Sequence, residues 1–211
     1  MRLPLFIYVH GFNSSPQSIK AQLLKAYLLQ NPHDGEFMAP ALSHWPNEAI
    51  KQIEALIEAA ADRPVVLVGS SLGGFYSINL LERFSNCRAV LVNPAIYPYR
   101  LLADWLGDNE NIYTQEHYML TREHLAQLEQ LAVTDLKDPK RYLVLLQTAD
   151  ETLDYREAES YFSQSPLFVQ PGGSHGFDQF ETLIPAIIRF SEGVVDLPPV
   201  LTLSPHLSDR K

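Results

Sequence analysis

The chain has 211 residues with 46% hydrophobic content, enough for one domain with a well-buried core and too little for a second complete one. Its 16 Lys and Arg stand against 25 Asp and Glu, a formal charge of −9, and the basic residues are scattered, which argues against nucleic acid and anionic membranes as partners. The single cysteine, Cys87, excludes an intrachain disulfide and is compatible with a reducing cytosol.

The first apolar run, Leu3 to Val9, is short, carries one basic residue and meets His10-Gly11 instead of a small-residue cleavage site, so it reads as a strand and not a signal peptide. A turn follows, and then a helix for which Ser15 is the expected N-cap and Pro16 the first residue. Further strands are expected at Glu36 to Ala39, Pro64 to Gly69, Arg88 to Val92, Tyr142 to Gln147 and Leu167 to Gln170. Between the second and third of these, from Asn47 to Ala61, the residues Ile50, Ile53, Leu56, Ile57 and Ala60 follow a helical period and predict an amphipathic helix. This alternation predicts an α/β fold, a mostly parallel central sheet of about six strands with helices on both faces.

From Ala95 to about Lys140 the rhythm fails, which predicts an insertion on the ligand-binding edge of the sheet, a small lid of two or three helices. Its aromatics, Tyr97, Tyr99, Trp105, Tyr113 and Tyr118, either contribute to an apolar acyl pocket, for which Tyr97 and Trp105 are the candidates, or pack the insertion's own core. Asp154 and Glu157 have capping-box spacing for a helix from Tyr155 to Phe162, and Asp178 to Phe190 reads as the last helix despite Pro185. Residues 1–191 thus form one domain, and 192–211 form a tail with Pro198, Pro199 and Pro205, packed in extended form or partly disordered. No apolar run approaches the roughly 20 residues needed to span a bilayer, so a soluble, cytoplasmic protein is expected.

Chemistry concentrates where the run Val65 to Val68 breaks into Gly69-Ser70-Ser71-Leu72-Gly73-Gly74, with the G-x-S-x-G spacing of a nucleophile elbow. Glycines on either side make room for a serine at the apex of a sharp turn, and the helix that follows aims its N–H groups and dipole at a developing anion. A serine needs a base, and the base needs a carboxylate to hold its tautomer. In the order Ser, acid, His, the histidines after Ser71 are His117, His124, His175 and His206. The first two fall in the insertion and His206 in the tail. His175 remains, in the glycine-rich loop Pro171 to Gly176 between the last strand and the last helix.

Three carboxylates compete for the acid. Asp150 follows its strand by a step suited to reaching across the sheet edge, Glu151 is a rival, and Asp154 has the competing work of a helix cap. In the first turn, His10-Gly11-Phe12-Asn13-Ser14-Ser15, the Phe12 N–H would join that of Leu72 in an oxyanion hole, while His10 is suited to shaping the loop. Asn13 and Ser14 either line the pocket or make the turn.

The segments Tyr8-Val9-His10-Gly11-Phe12-Asn13-Ser14-Ser15-Pro16, Gly69 to Gly74, Asn93-Pro94-Ala95, Gln147 to Tyr155 and Gly172 to Phe177 resemble the YqiA-type esterases of the bacterial UPF0227 group, within the α/β-hydrolases. Ala149 departs from the glycine that often precedes the acid, and the tail after Ser191 continues beyond the resembling region. The resemblance implies a serine esterase or thioesterase acting on a small-molecule acyl ester, with Ser71, Asp150 and His175 as its triad, and no metal or organic cofactor is required. Acyl transfer to an alcohol or amine, and a catalytically silent scaffold used as a binding module, are the alternative readings. Oligomeric state is not legible in the sequence.

Overall fold

The computed structural model describes residues 2–204; Pro205 and His206 of the tail lie outside the described residues. Its central sheet has six parallel strands, β1 (Leu5–Val9), β2 (Glu36–Met38), β3 (Val65–Ser70), β4 (Cys87–Val92), β7 (Tyr142–Gln147) and β8 (Leu167–Gln170), in the order β2-β1-β3-β4-β7-β8. The remaining strands, β5 (Gly107–Glu110) and β6 (His117–Leu120), form a separate antiparallel hairpin.

The inner strands read as unbroken apolar runs because both faces of the sheet are covered. The period of two is nevertheless present in what each side chain meets. Leu5, Ile7, Val9, Val65, Leu67, Ala89, Leu91, Val144 and Leu146 belong to one buried layer. Phe6, Tyr8, Val66, Val68, Val90, Val92, Leu143 and Leu145 belong to the other.

Helix α2 (Pro46–Ala59) adds Ala49, Ile50, Ile53 and Ile57 to the first layer, and α3 (Leu72–Leu81) is buried along nearly its whole length there. Helix α1 (Ile19–Gln30) contributes Ala21, Leu24 and Leu28 to the second, together with Ile184, Ile187 and Phe190 of α7 (Ile184–Ser191). Residues 95–140 hold α4 (Pro98–Leu101), a 3-10 turn, the β5–β6 hairpin and α5 (Arg122–Leu131). Helix α6 (Tyr155–Tyr161) follows β7 and is capped by Asp154, whose side chain accepts the Arg156 N–H.

Three local expectations are corrected. The N-cap of α1 is Ser18, not Ser15: the Ser15 hydroxyl accepts the Gln17 N–H and its carbonyl the Ser18 N–H, so a turn precedes the helix. The last helix is split, with a 3-10 turn over Phe180–Leu183 and then α7, whose first turn tolerates Pro185 because no intrahelical N–H is needed there. The insertion carries a hairpin as well as helices, since β5 is polar and largely exposed and lacks the alternation that marks a half-buried strand.

From β1 the chain steps to β2 on one side, then crosses back to β3 on the other. The loops after β1 and β3 therefore part at the carboxyl edge, the topological position at which open α/β sheets bind ligands. Close packing fixes that edge. A Cβ at Gly73 would stand 1.9 Å from the carbonyl oxygen of Val9, so only glycine lets α3 reach the end of β1. Gly73→Ala should cost about 2–3 kcal/mol and lower Tm by roughly 5–10 °C in a calorimetric scan. An unchanged Tm would mean that the helix shifts freely.

Candidate active site

Ser71 occupies the single position between β3 and α3, with φ 53° and ψ −119°. A non-glycine residue holds such a conformation at a cost of about 1–3 kcal/mol, and only when its surroundings impose it. Here its N–H donates to Val92 O (3.1 Å), and its carbonyl accepts from Gly74 (2.9 Å) and Ala95 (3.1 Å). The β1 turn lies against the serine: a Cβ at Gly11 would stand 3.2 Å from Ser71 Cβ and 3.7 Å from its Oγ. Among the described residues, neither the Phe12 nor the Leu72 N–H donates to a protein acceptor. Two backbone donors are thus unpaired, one in the β1 turn that lies against Ser71 and one at the N-terminus of the ten-residue α3, and both residues line one cavity.

His175 is set against Asp150, its Nδ1 lying 2.9 and 3.0 Å from the two carboxylate oxygens. The Asp150 side chain is 1% exposed, and its Oδ1 also accepts the Thr152 and Leu153 N–H groups at 2.8 Å each. With Nδ1–H donating to this carboxylate, the lone pair of the imidazole is on Nε2. Glu151 has other work, because its Oε2 accepts the backbone N–H of His175 (2.9 Å) and so holds the loop, not the ring. Lys20 of α1 donates to Gly176 O (2.8 Å) from the other side; burial lowers its ammonium to about 8, partly opposed by the charge of Asp150.

Two polar residues to which the sequence reading gave no role knit these loops together. Asn93, at φ 40° just after β4, donates from Nδ2 to the carbonyls of Ser174 (3.0 Å) and His175 (3.3 Å), and its Oδ1 accepts the Gln147 N–H. Gln147, fully buried at the end of β7, accepts from the Ser174 and Asp178 N–H groups and donates to Gln170 Oε1 and Asp178 O. Their signal was a polar residue closing an otherwise apolar strand run, which a buried sheet does not tolerate without a full set of partners.

The other candidates are dispersed. His10 accepts the Leu42 N–H at Nε2 and turns Nδ1 toward Gly11 O, so neither nitrogen is free to serve as a base, and burial holds it below the usual imidazole range. His117 is exposed on the hairpin, 4.0 Å from Glu110. Asn13 lines a cavity beside the β1 turn and accepts the Tyr118 hydroxyl at 2.6 Å. Trp105 lies edge-on to Phe12 with ring centroids 5.9 Å apart, but is half exposed, and Tyr97 stacks under the guanidinium of Arg100 beside a different cleft. No described helix is long and apolar enough to cross a membrane.

The uncharacterised protein family UPF0227 matches residues 5–192, most of the chain. The chain belongs to that family. Its architecture is also that of solved hydrolases and esterases. Est1E from Butyrivibrio proteoclasticus superposes with a TM-score of 0.69 at 15% identity, covering 92% of this chain and 90% of that one. The mouse alpha/beta hydrolase domain-containing protein 10 gives 0.64 at 15% identity, over 89% and 88% of the two chains. The esterase domain of a Rhodothermus marinus protein gives 0.63 at 14% identity, over 90% and 89%. At such identities the likeness establishes the α/β-hydrolase fold.

His124 introduces a pH dependence. It is fully buried in the insertion, and burial, reinforced by His44, holds it down to about 4. Its value in the unfolded chain is near 6.5, so between these limits the unfolded state binds a proton that the folded state refuses. The stability present above about pH 6.5 is therefore lost as pH falls toward 4, by up to roughly 3 kcal/mol. Urea midpoints should drop across that window in the wild type and less in His124→Asn; parallel curves for the two proteins would contradict this.

Proposed function

We propose that this chain is a serine hydrolase that cleaves carboxylic esters or thioesters through an acyl-enzyme on Ser71. The observation that carries the reading is the buried Asp150 carboxylate seated on His175 Nδ1, with Asn93 tying the His175 carbonyl to the strand end that also accepts the Ser71 N–H. His175 Nε2 takes the Ser71 proton as Oγ bonds to the substrate carbonyl carbon, and the carbonyl oxygen becomes an oxyanion facing the free N–H groups of Phe12 and Leu72. The imidazolium returns the proton to the departing alcohol or thiol as its bond to the carbonyl carbon breaks. Water then repeats the sequence and releases the acid.

Each group has the chemistry that its step demands. The strained turn presents the hydroxyl, Asp150 fixes the tautomer and stabilises the imidazolium, and the oxyanion donors are backbone groups that need no reorganisation. A fluorophosphonate probe tests the reading directly. It should label the wild-type protein, with the adduct mapped to Ser71 by mass spectrometry. A wild-type protein that stays unlabelled would favour a binding module on the same scaffold.

A further inference from the structure

A cavity of about 30 Å³ opens beside the oxyanion turn, bounded by the loop at residues 42–44, α3 and the insertion hairpin. Its walls include Phe12 and Leu72, whose N–H groups are the free donors described above, and a majority of polar side chains, among them Asn13, His44, Tyr76 and Tyr118. The sequence suggested an apolar acyl pocket lined by Tyr97 and Trp105. Neither lines this cavity.

The polar walls present donors. Asn13 spends its Oδ1 on the Tyr118 hydroxyl, which leaves its Nδ2 group. The tautomer of His44 follows from a relay. His124 Nδ1 accepts the Thr121 N–H (3.1 Å), so His124 carries its proton on Nε2 and donates it to His44 Nδ1 (3.0 Å). His44 therefore bears its own N–H on Nε2. Its ring is fixed between Tyr118, stacked at 4.3 Å, and the Trp45–His124 pair. Tyr76 is 2% exposed; among the described residues its hydroxyl makes no hydrogen bond to protein, and it is not one of the polar atoms sealed from solvent. A hydroxyl at a cavity wall with no protein partner is a group whose hydrogen bond a ligand oxygen can take over from water. Glu116 also lines the cavity and disfavours a second anion there.

Which half of an ester enters follows from the proton's path. The leaving group must lie toward His175, which protonates it, and no residue of the His175 loop lines this cavity. A second cleft, lined by Ala95, Tyr97 and Leu153, also lacks that loop, but only the cavity beside the β1 turn carries the free Phe12 and Leu72 N–H groups in its walls, and the acyl half is placed there. The space admits roughly two water-sized groups. The geometry points to a short acyl group of two or three carbons bearing a neutral oxygen, a hydroxyacyl or oxoacyl ester, with Tyr76, His44 and Asn13 as its specificity residues.

This inference rests on the serine-hydrolase reading, and the experiment separates the two. Hydrolysis of the ethyl esters of acetate, glycolate, lactate, butyrate and octanoate is followed by pH-stat, so that the leaving group is constant. The wild type should prefer glycolate and lactate, with kcat/KM falling steeply from butyrate to octanoate. Tyr76→Phe should lower kcat/KM for glycolate about tenfold more than for acetate, the loss of one hydrogen bond made only to the added oxygen. Should Tyr76→Phe fold poorly, the wild-type chain-length series decides alone. Octanoate hydrolysed as well as glycolate, or a Tyr76→Phe loss equal for both short esters, overturns the acyl assignment. Wild-type protein inactive on every ester and unlabelled by fluorophosphonate overturns the hydrolase reading itself.

Discussion

Ser71→Ala should lower kcat for ester hydrolysis by on the order of 10⁴–10⁶-fold while leaving the circular dichroism spectrum unchanged. The loss is that large because, among the described residues, no neighbouring group is placed to replace the proposed nucleophile. Ser70 belongs to β3 and is buried, His10 has both ring nitrogens engaged, and Cys87 lies at the opposite, amino end of β4. Alanine also has no hydroxyl to lose to a local bond, so the turn itself keeps its ties to Val92, Gly74 and Ala95. Relief of the strained backbone is not available either, since alanine meets the same steric limits at φ 53° as serine does. A variant retaining wild-type turnover would locate the chemistry elsewhere.

Asp150→Asn should reduce kcat by about 10⁴-fold, and the reason is a tautomer. Asp150 Oδ1 accepts two backbone N–H groups, from Thr152 and Leu153, so an asparagine would keep its carbonyl oxygen there and turn its amide N–H toward His175. The ring would then accept at Nδ1 and carry its proton on Nε2, where it cannot deprotonate Ser71. Glu151→Gln should cost less than about tenfold, because glutamine retains an oxygen to receive the His175 N–H. The reverse ranking of the two variants would make Glu151 the acid. A pH-rate profile adds a second readout, since Asp150→Asn should displace the limb on which activity rises with pH and Glu151→Gln should not.

The fold was legible because the central strands are buried on both faces. Val65 to Ser70 and Tyr142 to Gln147 cannot be mistaken for solvent-facing segments, and the serine elbow stands where the first of them ends. The hairpin of β5 and β6 escaped because its residues obey a local logic instead. Asn111 Oδ1 accepts the Tyr113 and Thr114 N–H groups at the tip, and Asn111 Nδ2 reaches back to Ser14 O. Contacts of that kind, between residues nearly a hundred positions apart, leave no periodic trace. The same holds for Asn93 and Gln147, whose partners lie on other loops.

Chain order and loop position singled out Ser71, Asp150 and His175, and the fold brings the last two into direct contact. The polarity of the neighbouring cavity was hidden for a different reason. His44 and Tyr76 belong to the 42–44 loop and α3, neither of which announces itself as pocket lining, while of the aromatics that did draw attention Tyr97 lines a second cleft under Arg100 and Trp105 lies against Phe12.

The extended segment after α7 has a bearing on where this protein is cut for study. Leu203 donates its N–H to Pro171 O (2.8 Å), and a Cβ on Gly172 would collide with the Leu203 carbonyl oxygen at 1.8 Å. The backbone of the His175 loop is thus moulded to residues beyond the family boundary at 192. An expression fragment trimmed to that boundary would retain every side chain proposed for catalysis yet lose the outer wall of the loop that carries His175. A side chain introduced at position 172 would do from within what such a trim does from without, by displacing Leu203 in the untrimmed chain.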